Sequence, residues 1–444
     1  MACNASKVPL LRVIAKRGYS ATACPRPVGQ AASVECKQLD NKVVVASAEA
    51  QLPVSRVSVV FRAGSRNETY DTQGASHMLR VAAGLTNKNS SGFAVTRNIQ
   101  QKGGALTVTS DREVVAYTVE TTANHLETGL RYLQDVIQPA FKPWELNDVL
   151  PLVKTQVANV PPQVRAVELL HKAAFRTGLG NSVYIPKFQI GKLSPETLLH
   201  YVANNCTAAR CAVVGVGVDQ TALVGFAQSL ELASGGKSGS ESANYYGGDA
   251  RKDTPGNVAH VAVAGLGGAV SNAKEALAFA VLQHAVGACP VTKRGAINGP
   301  FGKAVMSAVG DANVSFAALN ASYADAGLFG FVVSTDAQHA GKAVEAVARA
   351  LKSGTVSSDD VNRGKALLKA AVLEAYATDS SLIGEMGLQA VLTQQVQSAD
   401  ALVSAIDGIS LQDVQQAAKK AGSSKLSVGA VGNLAHVPYA SDLA

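Results

Sequence analysis

Apolar residues fall along the chain in two alternating rhythms, and the order of those rhythms repeats. Residues 57–63 read as a buried strand, and 72–84 and 93–102 as helices. Residues 105–109 and 114–120 alternate or are β-branched, as paired strands do. From 125 to 175 the period is helical. The order then returns: a strand over 258–266, a helix over 272–286, strands over 314–319 and 328–334, and helices through 421. Strands followed by runs of helices predict an α+β layer architecture rather than a parallel βαβ fold.

Direct self-comparison supports a duplication. RCAVVGVG at 210–217 recurs as KLSVGAVG at 425–432, an offset of 215. Ser194, opening one helical run, recurs as Ser410 at an offset of 216, and His125 recurs as His339 at 214. Three ordered blocks within one residue of a common offset predict two related halves. Residues 233–257, rich in Gly, Ser, Asp and Lys, have the composition of a linker between them. The expected division is a leading segment 1–33, a first domain 34–232, this linker, and a second domain 258–444.

Charge changes the picture only at the start. The 444 residues carry a net charge of +7. Five of the bases (Lys7, Arg12, Lys16, Arg17 and Arg26) precede Glu35, the first acid. The rest of the chain is therefore almost neutral, and a nucleic-acid partner is not expected. A basic, acid-free leader with Leu10, Leu11, Val13 and Ile14 among its charges matches a mitochondrial transit peptide, with processing expected near Ser20. The most apolar stretch, 276–291, is interrupted by Gln283, His284 and Pro290 and falls short of the roughly 20 residues of a membrane span. The six cysteines form neither a zinc nor a haem pattern, and the neighbouring Cys206 and Cys211 are expected as buried free thiols. Glycine-rich stretches near 235 and 265 lack the glycines and acid of phosphate or dinucleotide loops.

The first long helix carries the decisive chemistry. Gln73-Gly74-Ala75-Ser76-His77-Met78-Leu79-Arg80-Val81 resembles the metal helix of the inverzincin, or pitrilysin-type, metallopeptidases, whose pattern is His-x-x-Glu-His. Phe61-Arg62-Ala63-Gly64-Ser65-Arg66, Gly103-Gly104 and Tyr117-Thr118-Val119-Glu120 extend the likeness through the first half. The resemblance implies two homologous α+β domains, each a mostly antiparallel sheet flanked by helices. In that family two histidines on one helix face and a distant glutamate hold zinc, and the helix glutamate activates water. Here His77 stands at the first ligand position, Arg80 at the base and Val81 at the second ligand. The third ligand falls near Gln156, and no Asp or Glu occurs from Val149 to Val167. The implied site is degenerate: no metal, no cofactor and no catalytic residue is expected, with His77 held by local hydrogen bonds.

Asn320-Ala321-Ser322-Tyr323, Gly327-Leu328-Phe329-Gly330-Phe331 and Gly432-Asn433-Leu434 narrow the likeness. They resemble the family's non-catalytic mitochondrial members that serve as core subunits of ubiquinol–cytochrome c reductase. That resemblance implies a structural role in a respiratory complex, peripheral on the matrix side of the inner membrane. The implied partners are core protein 1 and the cytochrome b, cytochrome c1 and Rieske subunits. The alternative is the substrate-recognising alpha subunit of the mitochondrial processing peptidase. Its long glycine-rich loop is not matched by the basic stretch 287–295.

Overall fold

A computed structural model describes residues 34–48, 53–235, 242–289, 299–310 and 312–443. The leader 1–33 and most of the 287–295 stretch lie outside the described residues. The first half contains β1 (Val34–Gln38), β2 (Val44–Ala48), β3 (Val54–Phe61), α1 (Ala75–Ala82), α2 (Gly92–Gln101), β4 (Ala105–Ser110) and β5 (Val115–Thr122). It continues with α3 (Leu126–Val136), α4 (Pro143–Ala158), α5 (Pro162–Phe175), α6 (Pro195–Asn205), β6 (Cys211–Val216) and α7 (Gln220–Ser229). The second half holds β7 (Gly248–Asp253), β8 (Val258–Leu266), α8 (Ala273–Val286), β9 (Ala288–Cys289), α9 (Pro300–Val309), β10 (Val314–Ser322) and β11 (Gly327–Asp336). Helices α10 (Ala337–Ser353), α11 (Ser358–Ala377), α12 (Asp379–Thr393), α13 (Ala399–Asp407) and α14 (Leu411–Ser423) follow, and β12 (Ser427–Gly432) closes the sheet.

Each half builds a six-stranded sheet, in the orders β1-β2-β6-β3-β5-β4 and β7-β12-β8-β11-β10-β9. All pairings are antiparallel except β2 with β6 and β7 with β12. The expected α+β class with mostly antiparallel sheets describes both. The stretch 233–257 requires a correction, because it contains β7. That strand pairs in parallel with β12, Gly248 opposite Ser427, as β2 pairs with β6 in the first half. Its sequence GDARKD gives no apolar run because β7 is an edge strand, bonded on one side and half exposed.

The central strands are apolar on both faces because both faces are covered. Val57, Val59, Phe61, Tyr117 and Val213 face the helices of their own half. Val60, Val214 and Val216 face the other way, against Leu382, Ile383 and Met386 of α12 from the second half. The exchange is reciprocal. Ala262, Ala264 and Val431 of the second sheet bury against Ala166, Leu170 and Ala174 of α5 from the first half. Each fully buried Val or Leu contributes about 1.5–3 kcal/mol, so these two exchanged helices are a main bond between the halves. Glycine marks both crossings. A Cβ on Gly429 of β12 would lie 2.3 Å from the Ala166 carbonyl oxygen, and one on Gly387 of α12 would lie 2.9 Å from Val60 Cγ2.

Polar contacts reinforce the junction. The buried Arg66 guanidinium donates from Nη1 to Glu113 (2.8 Å) and to Asp325 (2.7 Å), joining the halves. His171 of α5 meets the Tyr323 hydroxyl at 2.8 Å. Among the described residues no helix is long and apolar enough to cross a membrane.

Candidate functional site

Helix α1 begins where Gly74 adopts a left-handed φ of 91°, a conformation that costs little without a side chain. A Cβ there would also meet Ile185 Cγ1 at 2.4 Å. The first amides of the helix are satisfied by a carboxylate that the sequence motif did not reveal. Glu68 accepts from the Gly74 and Ser76 N–H groups, both at 2.8 Å, and from the Ser76 hydroxyl at 2.6 Å. Burial pushes the Glu68 carboxyl up to about 7, against the opposing pull of these hydrogen bonds.

His77 is fully buried and faces α4. The Ile185 N–H can only donate, and it points at Nδ1 (3.2 Å), so Nδ1 is the acceptor and the ring proton sits on Nε2. Nε2–H then donates to Gln156 Oε1 at 2.8 Å. Arg80, one helical turn on, places Nη2 3.5 Å from the same oxygen and its guanidinium 5.8 Å from the centre of the Tyr184 ring. Tyr184 in turn stands edge-on to His77, with ring centres 5.7 Å apart. Burial, and next the Arg80 charge, lower the His77 imidazole to about 4, partly opposed by the Gln156 bond. The ring is neutral near pH 7.

The structure therefore brings three of the four motif positions together and separates the fourth. His77, Arg80 and Gln156 share one polar cluster. Val81 is half-buried and packs on the apolar core of the first half. Tyr184 and Ile185 join the cluster from a loop over 100 residues away, and no local pattern announces them.

As arranged, this donor set does not suit zinc, which takes deprotonated nitrogen, sulfur or carboxylate oxygen ligands. One imidazole nitrogen is occupied by a backbone N–H, the other carries its proton toward an amide oxygen, and a guanidinium lies beside that amide. Among the described residues no three His, Cys, Asp or Glu side chains gather as a metal-holding group. Cys206 and Cys211 are free, and burial raises both thiols, Cys206 to about 12. Cys36 is exposed on β1 at the edge of the sheet.

Comparison with known proteins finds two successive family matches, whose boundary falls inside the first half of the fold. The family description "Insulinase (Peptidase family M16)" matches residues 43–187, and "Peptidase M16 inactive domain" matches 192–368. The chain is 38% identical over 423 residues to "Cytochrome b-c1 complex subunit 2, mitochondrial" of Rattus norvegicus, covering 93% of each protein. It is 37% identical over 432 residues to the Homo sapiens protein of the same name, covering 95% of each. Identity to "Mitochondrial-processing peptidase subunit alpha-2" of Dictyostelium discoideum is 28% over 395 residues, covering 87% of this chain and 88% of that protein.

Proposed function

The chain belongs to peptidase family M16, and from that premise we propose that it is a non-catalytic structural subunit of the mitochondrial ubiquinol–cytochrome c reductase complex. The observation that carries this reading is similarity at 37–38% identity along nearly the whole chain to relatives named as subunit 2 of that complex. Processing-peptidase alpha subunits match less closely, at 28% identity, which favours the respiratory complex over the alternative.

The chemistry at α1 agrees with a structural role. Peptidase action in this family needs a metal-bound water and a carboxylate base. Arg80 supplies a permanent positive charge at the base position, and Gln156 supplies a neutral amide at the third-ligand position. What His77 does instead is mechanical: it ties α1 to α4 through Gln156 and to the 181–188 segment through Ile185. His77, Arg80, Val81 and Gln156 are thus proposed as relics of a metal site, with no catalytic, cofactor or metal role.

The finer reading follows from membership of the complex. The chain would pair with core protein 1 and sit on the matrix side, held to cytochrome b, cytochrome c1 and the Rieske subunit by protein contacts. Residues 1–33 would be its transit segment, removed near Ser20. The redox centres of the complex would belong to its other subunits. Native electrophoresis of gently solubilised mitochondria tests this reading. The chain is expected in a large band that also contains haem-bearing cytochromes. Migration only as a small soluble heterodimer with peptidase activity would overturn it.

A further inference from the structure

A concavity of about 410 Å³ opens where α5, the 181–188 segment and Lys252 of β7 meet. That is the size of a small-molecule pocket, roughly 300–1,000 Å³. Its charge is one-sided. Arg165 and Lys172 reach it from α5, Arg176 from the residue capping that helix, Lys187 from the segment after Pro186, and Lys252 from β7 across the junction. Two carboxylates line the same wall, and both are committed elsewhere. Glu168 accepts from Arg112 Nη2 (2.6 Å) and from the Val183 N–H (3.1 Å), and Glu68 holds the start of α1. Five cations therefore face one cavity whose two acids already serve other groups.

Three further features indicate a built site. Arg165 is braced against the wall by donating to the Val157 carbonyl at 3.0 Å. Arg176 occupies a left-handed backbone conformation, φ 64°, that side chains rarely adopt, and its guanidinium stacks 4.6 Å from the centre of the Tyr246 ring. Strain of this kind gathers at ligand sites. The Lys252 ammonium is lowered by burial and next by the charges of Arg165 and Lys187, so these cations repel one another across the space.

We propose that this cavity binds a multiply charged phosphate group, supplied by a free phosphate compound or by the headgroup of an anionic phospholipid. A single carboxylate would neutralise little of five positive charges. A phosphate offers several acceptor oxygens and more than one charge, and the guanidinium forks of Arg165 and Arg176 match its geometry. Bases from both halves converge on one anion, so its binding also ties the halves and stabilises the folded chain by mass action.

The test uses the full-length chain in the assembly in which it is isolated. Pyrophosphate is titrated by calorimetry, and flotation is followed with phosphatidylcholine vesicles made with or without phosphatidic acid, whose monoester headgroup carries more than one charge. The Lys187→Ala/Lys252→Ala double variant is compared with the parent, and the exposed Lys172→Ala gives a second, milder variant should the double variant not fold. Saturable pyrophosphate binding, weakened by salt and at least about tenfold in the double variant, supports a free phosphate compound. Flotation that depends on phosphatidic acid and is lost in the variants, with pyrophosphate silent, supports the headgroup. If neither probe binds, or if folded variants bind as the parent does, the proposal is wrong.

Discussion

Arg66 offers the sharpest test of how the halves are held together. Its side chain is 4% exposed, and its partner Glu113 is 6% exposed. Glu113 also accepts from the Ala324 N–H of the second half at 3.1 Å. Arg66→Ala removes the cation and leaves a buried carboxylate without its charge partner, a change that typically costs about 3–5 kcal/mol. With a urea slope of about 3 kcal/mol/M, that is a midpoint shift of roughly 1–2 M. The loss should also depend on pH. Burial already holds the Glu113 carboxyl above its ordinary range, and the Arg66 charge is the largest influence pulling it down. Without Arg66 the folded-state value rises further. An acid whose folded value exceeds its unfolded one binds more protons when folded, so stability falls as pH rises between the two. The penalty of Arg66→Ala should therefore be small at acidic pH and grow toward neutrality. Urea unfolding followed by circular dichroism at several pH values measures both effects. Adding Glu113→Gln to Arg66→Met removes both charges and should recover much of the loss. A cost below about 1 kcal/mol at neutral pH, with no pH dependence, would refute this view of the junction.

Three other outcomes follow from the same contacts. His77→Ala deprives the Gln156 oxygen and the Ile185 N–H of their buried partner and should cost about 2–5 kcal/mol of stability in urea, with chelators changing neither protein. Gly429→Val places a side chain against the α5 backbone, 2.3 Å from Ala166 O and 2.4 Å from Leu170 N, and should lower stability by at least about 1–3 kcal/mol; a neutral melting curve would mean α5 is not seated on β12. The Glu68 carboxyl lies near 7 when folded against 4.5 ordinarily, so relative to Glu68→Gln the parent should lose on the order of 3 kcal/mol as pH rises from 4.5 to about 7; a stability difference that stays flat over that window would sink the assignment.

Much of the fold was legible because its strands are buried on both sides. Strand β8 runs over 258–266 as its apolar run predicts, and β5 and β11 extend only slightly past theirs. The strands that escaped notice lie toward one margin of each sheet. Polar β7 in the linker-like stretch and the exposed β1 form from pairing rather than from their own pattern, whereas β2, β6 and β12 are apolar and fully buried, the last two legible only as a repeat. The reciprocal seating of α5 and α12 was invisible too, since periodicity tells which face of a helix is apolar but not whose sheet it meets. At the site, the motif on α1 pointed to His77 and Arg80, and family spacing placed Gln156, which the fold sets 2.8 Å from the imidazole. Glu68, Tyr184 and the Ile185 amide were hidden because tertiary contact alone brings them to the helix.

The most direct measurement is the zinc content of the purified chain after exposure to zinc and removal of excess. With the imidazole engaged at both nitrogens, and Arg80 and Gln156 where a base and a ligand would stand, substoichiometric and readily washed metal is the expected result. One tightly held zinc per chain, lost on His77→Ala, would contradict it.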